Sequence, residues 1–166
     1  AEFIPVSLLT PIARDLAVTE GMAGQTVTAV GVFAVLTSLL LAPLTGNIDR
    51  RRILLAFSAM LAASYMLIGI APTYPIMLIG RAILGICVGG FWSLASAVTL
   101  QLVPTKDVPR ALSIVYAGVS VATIIALPVA SWIGHLIGWR NVFFLGALMA
   151  AFGFVWQYRA LPSLPA

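Results

Sequence analysis

The chain has 166 residues, 61% hydrophobic and 8% charged, with a formal net charge of +4. A soluble domain carries about 25% charged residues, so this chain has too few polar side chains to cover a water-facing surface, and a soluble globular fold is excluded. The cations stand at the ends of apolar runs rather than in one patch, which argues against a nucleic-acid partner and leaves membrane lipid as the surrounding medium.

Five charge-free stretches run Gly21–Ile48, Ile53–Gly80, Ala82–Thr105, Ala111–Trp139 and Asn141–Tyr158. Each is about as long as the ~20 residues a helix needs to cross the hydrocarbon. None alternates apolar with polar, as a barrel strand would. The expected fold is therefore an all-α polytopic membrane bundle of six helices. The first is predicted over residues 2–14, interrupted by Pro5 and Pro11. Phe3–Ala13 is apolar but too short to span, and it lacks the basic start and small-residue cleavage site of a signal peptide. With Ala1-Glu2 at the start in place of an initiator methionine, we expect a first helix cut in half. The others are predicted over 22–45, 53–71, 75–103, 108–136 and 140–159. Short connections rich in turn residues join them, such as Ala71-Pro72-Thr73-Tyr74-Pro75. No linker marks a second domain, so residues 1–166 form one unit.

One face of this arrangement receives Arg50, Arg51, Arg52, Lys106, Arg110 and Arg159, and the other Arg14 and Arg140. The richer face is cytoplasmic by the positive-inside rule. Acidic residues contribute little to that rule, so Asp49 needs a separate account. It either accepts hydrogen bonds from a helix start or pairs with an arginine, or it is a solvated loop charge. Cys87, the single cysteine, lies in an apolar run and is read as a small core residue. No cluster of Cys and His residues indicates a metal, and no catalytic set or phosphate loop is visible, so no cofactor and no enzymatic role are expected.

Asp49-Arg50-Arg51-Arg52 after the second helix resembles the cytoplasmic signature loop of the major facilitator superfamily, although the loop's first glycine falls on Thr45, with Gly46 one place late, and its second on Arg52. "LIGRAILGICVGGFWSLAS" (78–96) resembles the fourth-helix motif through Arg81 and Gly85. "AGVSVATIIALPVASWIG" (117–134) resembles the fifth-helix antiporter motif through Gly118 and Pro128, and "GWRNVFF" (138–144) resembles the entry into helix six. The resemblance covers the whole chain. Together with "EFIPVSLLTPIARDL" and "GGFWSLASA" it is most like the bacterial drug, sugar and nucleoside efflux branch, the purine ribonucleoside efflux permeases in particular.

The resemblance implies the amino-terminal half of a twelve-helix transporter of the bacterial inner membrane. Its partners would be lipid, a small-molecule substrate and a missing carboxy-terminal half. The loops at Gly46–Ile53 and Gly134–Asn141 occupy equivalent places on opposite faces, as a 3+3 inverted repeat requires. The implied function is proton-coupled efflux, with the proton as coupling ion. Purine ribonucleosides are the first substrate choice, and sugars or drugs the alternative. A non-transporting scaffold or regulatory membrane protein is the rival of another class.

Two ionisable groups fall within helices. Glu2 is twelve residues before Arg14, roughly 18 Å at ~1.5 Å per residue, near the middle of a ~30 Å core. Arg81, six residues past Pro75, is about 9 Å into the outer half. Helices one and four pack together in the family, so Arg81 is expected to reach toward Glu2. A carboxylate balanced between desolvation and a guanidinium can take a proton on one side and release it on the other. Alternatively, Glu2 merely opens a truncated chain, and Arg81 binds backbone carbonyls. The resemblance implies a gating role for Asp49 and Arg50, and we group Arg51 and Arg52 with them. Phe91 and Trp92 could stack on a flat ligand beside Ser93, or be packing residues. Gly85 and Gly89 permit close helix approach. Gly118 and Pro128 are read as packing and kink residues, and His135 as interfacial.

Overall fold

The computed structural model describes residues 8–44 and 48–162. They form α1 (Leu9–Asp15), α2 (Glu20–Leu44), α3 (Arg50–Ile70), α4 (Tyr74–Leu102), a 3-10 turn (Thr105–Asp107), α5 (Val108–Ile137) and α6 (Trp139–Ala160). Five of these helices, α2 to α6, are long and apolar enough to cross a membrane. The chain is a multi-pass membrane protein.

The starts of α2 and α3 lie two and three residues earlier than the sequence reading placed them, and one expected interruption is not made, each for a local reason. α2 starts at Glu20 because the Thr19 hydroxyl accepts the Met22 N–H at 3.2 Å, and a carboxylate in the first turn suits the helix dipole. α3 starts at Arg50, not 53, because Asp49 caps it. The three arginines therefore form its first turn rather than a loop. Pro11 does not interrupt α1: it sits in the first turn, where a helix start leaves N–H groups unused anyway.

α2 lies along α4, and α3 packs on both α4 and α6, while α5 leans on α6 and barely touches α4. The α2–α4 seam is a backbone contact. A Cβ at Gly89 would stand 2.1 Å from the Ala34 carbonyl oxygen, and one at Gly85 2.5 Å from that of Val30. Only glycine fits there, as expected where small residues let membrane helices approach. α3 meets α4 through the buried Ser64 hydroxyl, which donates to the Gly80 carbonyl at 2.7 Å. The larger apolar cluster gathers toward the outer ends and includes Ile12, Val30, Tyr65, Met77, Leu84 and Phe143. A smaller one lies at the inner end around Leu41, Ile53, Leu54, Leu94 and Val98. Outside these, Leu39, Leu148, Met149 and Phe152 stand exposed on the bundle surface, where lipid rather than water is the stable neighbour.

Gly138 makes the sharpest reversal. It is the single residue between α5 and α6, at φ +88 and ψ 150, a region open essentially to glycine. That turn fixes where Trp139 and Arg140 enter the outer face.

Candidate functional site

Arg81 is the charge deepest in the described bundle. It is seven residues into α4, about 10 Å below the outer end at ~1.5 Å per residue. Its side chain is fully buried, with the guanidinium carbon 5.6 Å from the Phe143 ring centroid. Phe143 in turn touches Tyr65 and Trp139, at ring separations of 6.2 and 5.9 Å. A cation over a desolvated ring gains up to about 2 kcal/mol. Charges inside membrane spans are costly and mark functional positions. Glu2, its expected partner, lies outside the described residues.

At the inner rim, Asp49 accepts the Arg51 N–H at 2.8 Å and so caps α3. Of the alternatives open to it, the structure places it on a helix start, its own. The Arg51 guanidinium donates to the Tyr158 carbonyl at 2.7 Å and lies 5.5 Å over the Tyr158 ring. About two helical turns deeper along α3, Ser58 donates to the Gln157 side-chain carbonyl at 2.7 Å. Arg51 thus joins the start of α3 to the end of α6, while Arg50 and Arg52 stay in the rim. Thr45 and Gly46, where the loop's first glycine was sought, lie outside the described residues.

The outer rim repeats this device in reverse. Arg140, the second residue of α6, donates to the Ala71 carbonyl at the end of α3 at 3.1 Å and lies 4.3 Å over the Trp139 ring. Arg51 is likewise the second residue of α3. Both arginines satisfy a carbonyl that a helix end leaves without an intrahelical donor. The antiparallel α3–α6 pair is therefore clasped at both ends by equivalent residues. Arg140 also forms an ion pair with Asp15, whose carboxylate accepts the Trp139 indole N–H at 3.1 Å, which ties α1 into the clasp. Sequence reasoning missed Asp15, which stands 124 residues from Trp139. The only available signal was an acid at a helix end on the face poor in charge.

Phe91 and Trp92 meet edge to face at 5.7 Å, and Trp92 is already stacked on Tyr116 of α5, at 5.6 Å and 9° between the planes. Tyr116 was also missed, because nothing in the spacing pairs 92 with 116. The Trp92 face nearest α5 is thus covered, not open. Both aromatics line a cavity of about 240 Å³ with Phe57, Ser58, Cys87 and Gln157, and Ser93 is half-buried beside them. Gly118 has nothing within 4 Å of a notional Cβ, so the packing expected of it is not made among the described residues. Pro128 is exposed within an unbroken α5. His135 is exposed at the outer end of α5.

Comparison with known proteins fits this architecture. The model of the Major Facilitator Superfamily matches residues 1–165. The transcription regulatory protein OpdE of Pseudomonas aeruginosa is 47% identical over 166 residues, 100% of this chain and 41% of that protein. The purine ribonucleoside efflux pumps NepI of Salmonella typhimurium and Salmonella paratyphi B are each 44% identical over 164 residues, 99% of this chain and 41% of theirs. The chain thus spans less than half the length of these relatives.

Proposed function

The chain belongs to the major facilitator superfamily, and from that premise we propose that it is the amino-terminal six-helix half of a proton-coupled efflux transporter in a bacterial cytoplasmic membrane. Membership points to transport rather than catalysis. The observation that carries the reading is Arg81, a fully buried guanidinium inside a membrane span. A helix that only anchored or filled space would gain nothing from so costly a group.

In this reading Glu2 carries the proton and Arg81 biases its release. Asp49, Arg50, Arg51 and Arg52 form the inner gate against the carboxy-terminal half. Phe91, Trp92 and Ser93 contribute to the substrate wall. Purine ribonucleosides are the proposed substrate, on the strength of the 44% identity to pumps so named; sugars or drugs are the alternative. The proton is the coupling ion, and no other cofactor is invoked.

A second reading follows from the name of the other relative: a membrane protein that regulates transcription without transporting. One assay separates them. Inverted vesicles holding the intact protein should accumulate inosine when a pH gradient is applied, and Glu2→Gln should abolish this while leaving insertion normal. Absence of accumulation by the wild type would favour the regulatory reading. Normal accumulation by Glu2→Gln would move the proton site elsewhere.

A further inference from the structure

The outer ends of α1, α5 and α6 surround an open depression of about 750 Å³, lined among others by Arg14, Asp15, His135, Trp139, Arg140 and Asn141. Its charges are unevenly employed. Arg140 and Asp15 are bound to each other. Glu20, the other carboxylate at this end, accepts the Thr10 hydroxyl at 2.8 Å and is not part of the lining. The Arg14 guanidinium is exposed and has no hydrogen-bond or ion-pair partner among the described residues. Cations on the outer face run against the positive-inside bias. Arg140 is accounted for by the clasp, whereas the Arg14 side chain bonds to nothing among the described residues.

Two further features give the depression a polarity. α6 opens into it on Gly138, which has no side chain to cap the first-turn N–H groups, so the positive end of a 22-residue helix faces the same space. On α5, His135 stands one turn above Trp132, and Trp132 one turn below Leu136. Trp132 and Leu136 are 67% and 63% exposed. The depression therefore joins the uncommitted Arg14 guanidinium and a helix start, at interfacial depth, to an apolar flank that runs into the bilayer. Tryptophan at that depth is a membrane-interface residue.

We propose that this depression binds the phosphodiester of an anionic phospholipid of the outer leaflet. Arg14 and the α6 N-terminus hold the phosphate, Asn141 and His135 line the head group, and the acyl chains run down α5 past Trp132 and Leu136. The inference is independent of what the protein transports.

The test uses the purified intact protein and native mass spectrometry after exchange into detergent containing phosphatidylglycerol or phosphatidylcholine. Phosphatidylglycerol should be retained in preference. Arg14→Gln should weaken its retention about fivefold, the factor to which roughly 1 kcal/mol per basic residue at an anionic lipid corresponds. Arg14→Lys should restore it. The lipid-free melting temperature of Arg14→Gln should match the wild type, because the Arg14 side chain makes no hydrogen bond or ion pair among the described residues. Equal retention by wild type and Arg14→Gln would overturn the proposal. So would equal retention of soluble glycerol phosphate, which would assign the site to a free anion. Cross-linking of Arg14→Cys to the carboxy-terminal half, with no lipid retained by the wild type, would make it an interface between halves and overturn the proposal as well.

Discussion

Among the described glycines, Gly89→Ala is the most demanding change, because its Cβ would make the shortest approach and the atom that it would strike is backbone. The new Cβ would stand 2.1 Å from the Ala34 carbonyl oxygen, and such atoms essentially never approach within 3.0 Å. α2 and α4 would have to part by about 0.9 Å, and a gap of that size forfeits roughly a quarter to a half of each dispersion well along the seam. Gly85, one turn away and 2.5 Å from Val30 by the same measure, would lose its contact too. Overpacking of this kind costs about 1–3 kcal/mol. At about 2–4 °C per kcal/mol for a domain of this size, melting should fall by roughly 2–12 °C. The control is Gly153→Ala in α6, where a Cβ meets nothing within 4 Å. There the ~1 kcal/mol helix preference of alanine over glycine should leave melting unchanged or raised. The assay is fluorescence-detected melting of both variants in one detergent. If Gly89→Ala melts at or above the wild type, the close α2–α4 seam is refuted.

Other consequences can be checked separately. Arg140→Ala removes a charged donor worth about 1.5–3 kcal/mol and should lower melting, with Arg140→Lys only partly restoring it because the planar fork is lost. Its effect should be markedly non-additive with Asp15→Asn, and strict additivity would deny their coupling. Asp49→Asn keeps a competent cap but removes the charge, so on the proposed function it should slow transport by the intact protein at unchanged melting temperature. Asp49→Ala should lose both, the cap being worth about 1 kcal/mol, and full transport by Asp49→Asn would reduce Asp49 to a cap alone. Cysteine at Thr105 should be labelled only from the cytoplasmic side, and cysteine at Thr19 or Thr73 only from outside. The opposite pattern would invert the orientation.

The number of spans and their approximate limits were legible in the sequence. They depend on a quantity local to each segment: the length of a charge-free run against the thickness of a bilayer. The same holds for Gly85 and Gly89, whose four-residue spacing sets both on one helix face. Which partners those faces and ends meet was not legible. Asp49 could be read as a loop charge or a helix ligand, and only the backbone path made it the cap that starts α3. Arg51 counted as a topology signal until Tyr158 was found beneath it, 107 residues away. Asp15 and Tyr116 drew no notice because their partners, Trp139 and Trp92, are on other helices, and Gly118 matched a motif but faces open space. Hydrophobicity acts segment by segment and without direction, so one dimension suffices to record it. Hydrogen bonds, ring stacks and backbone contacts need distances of a few ångströms between residues far apart in the chain, and these exist only once the helices have packed.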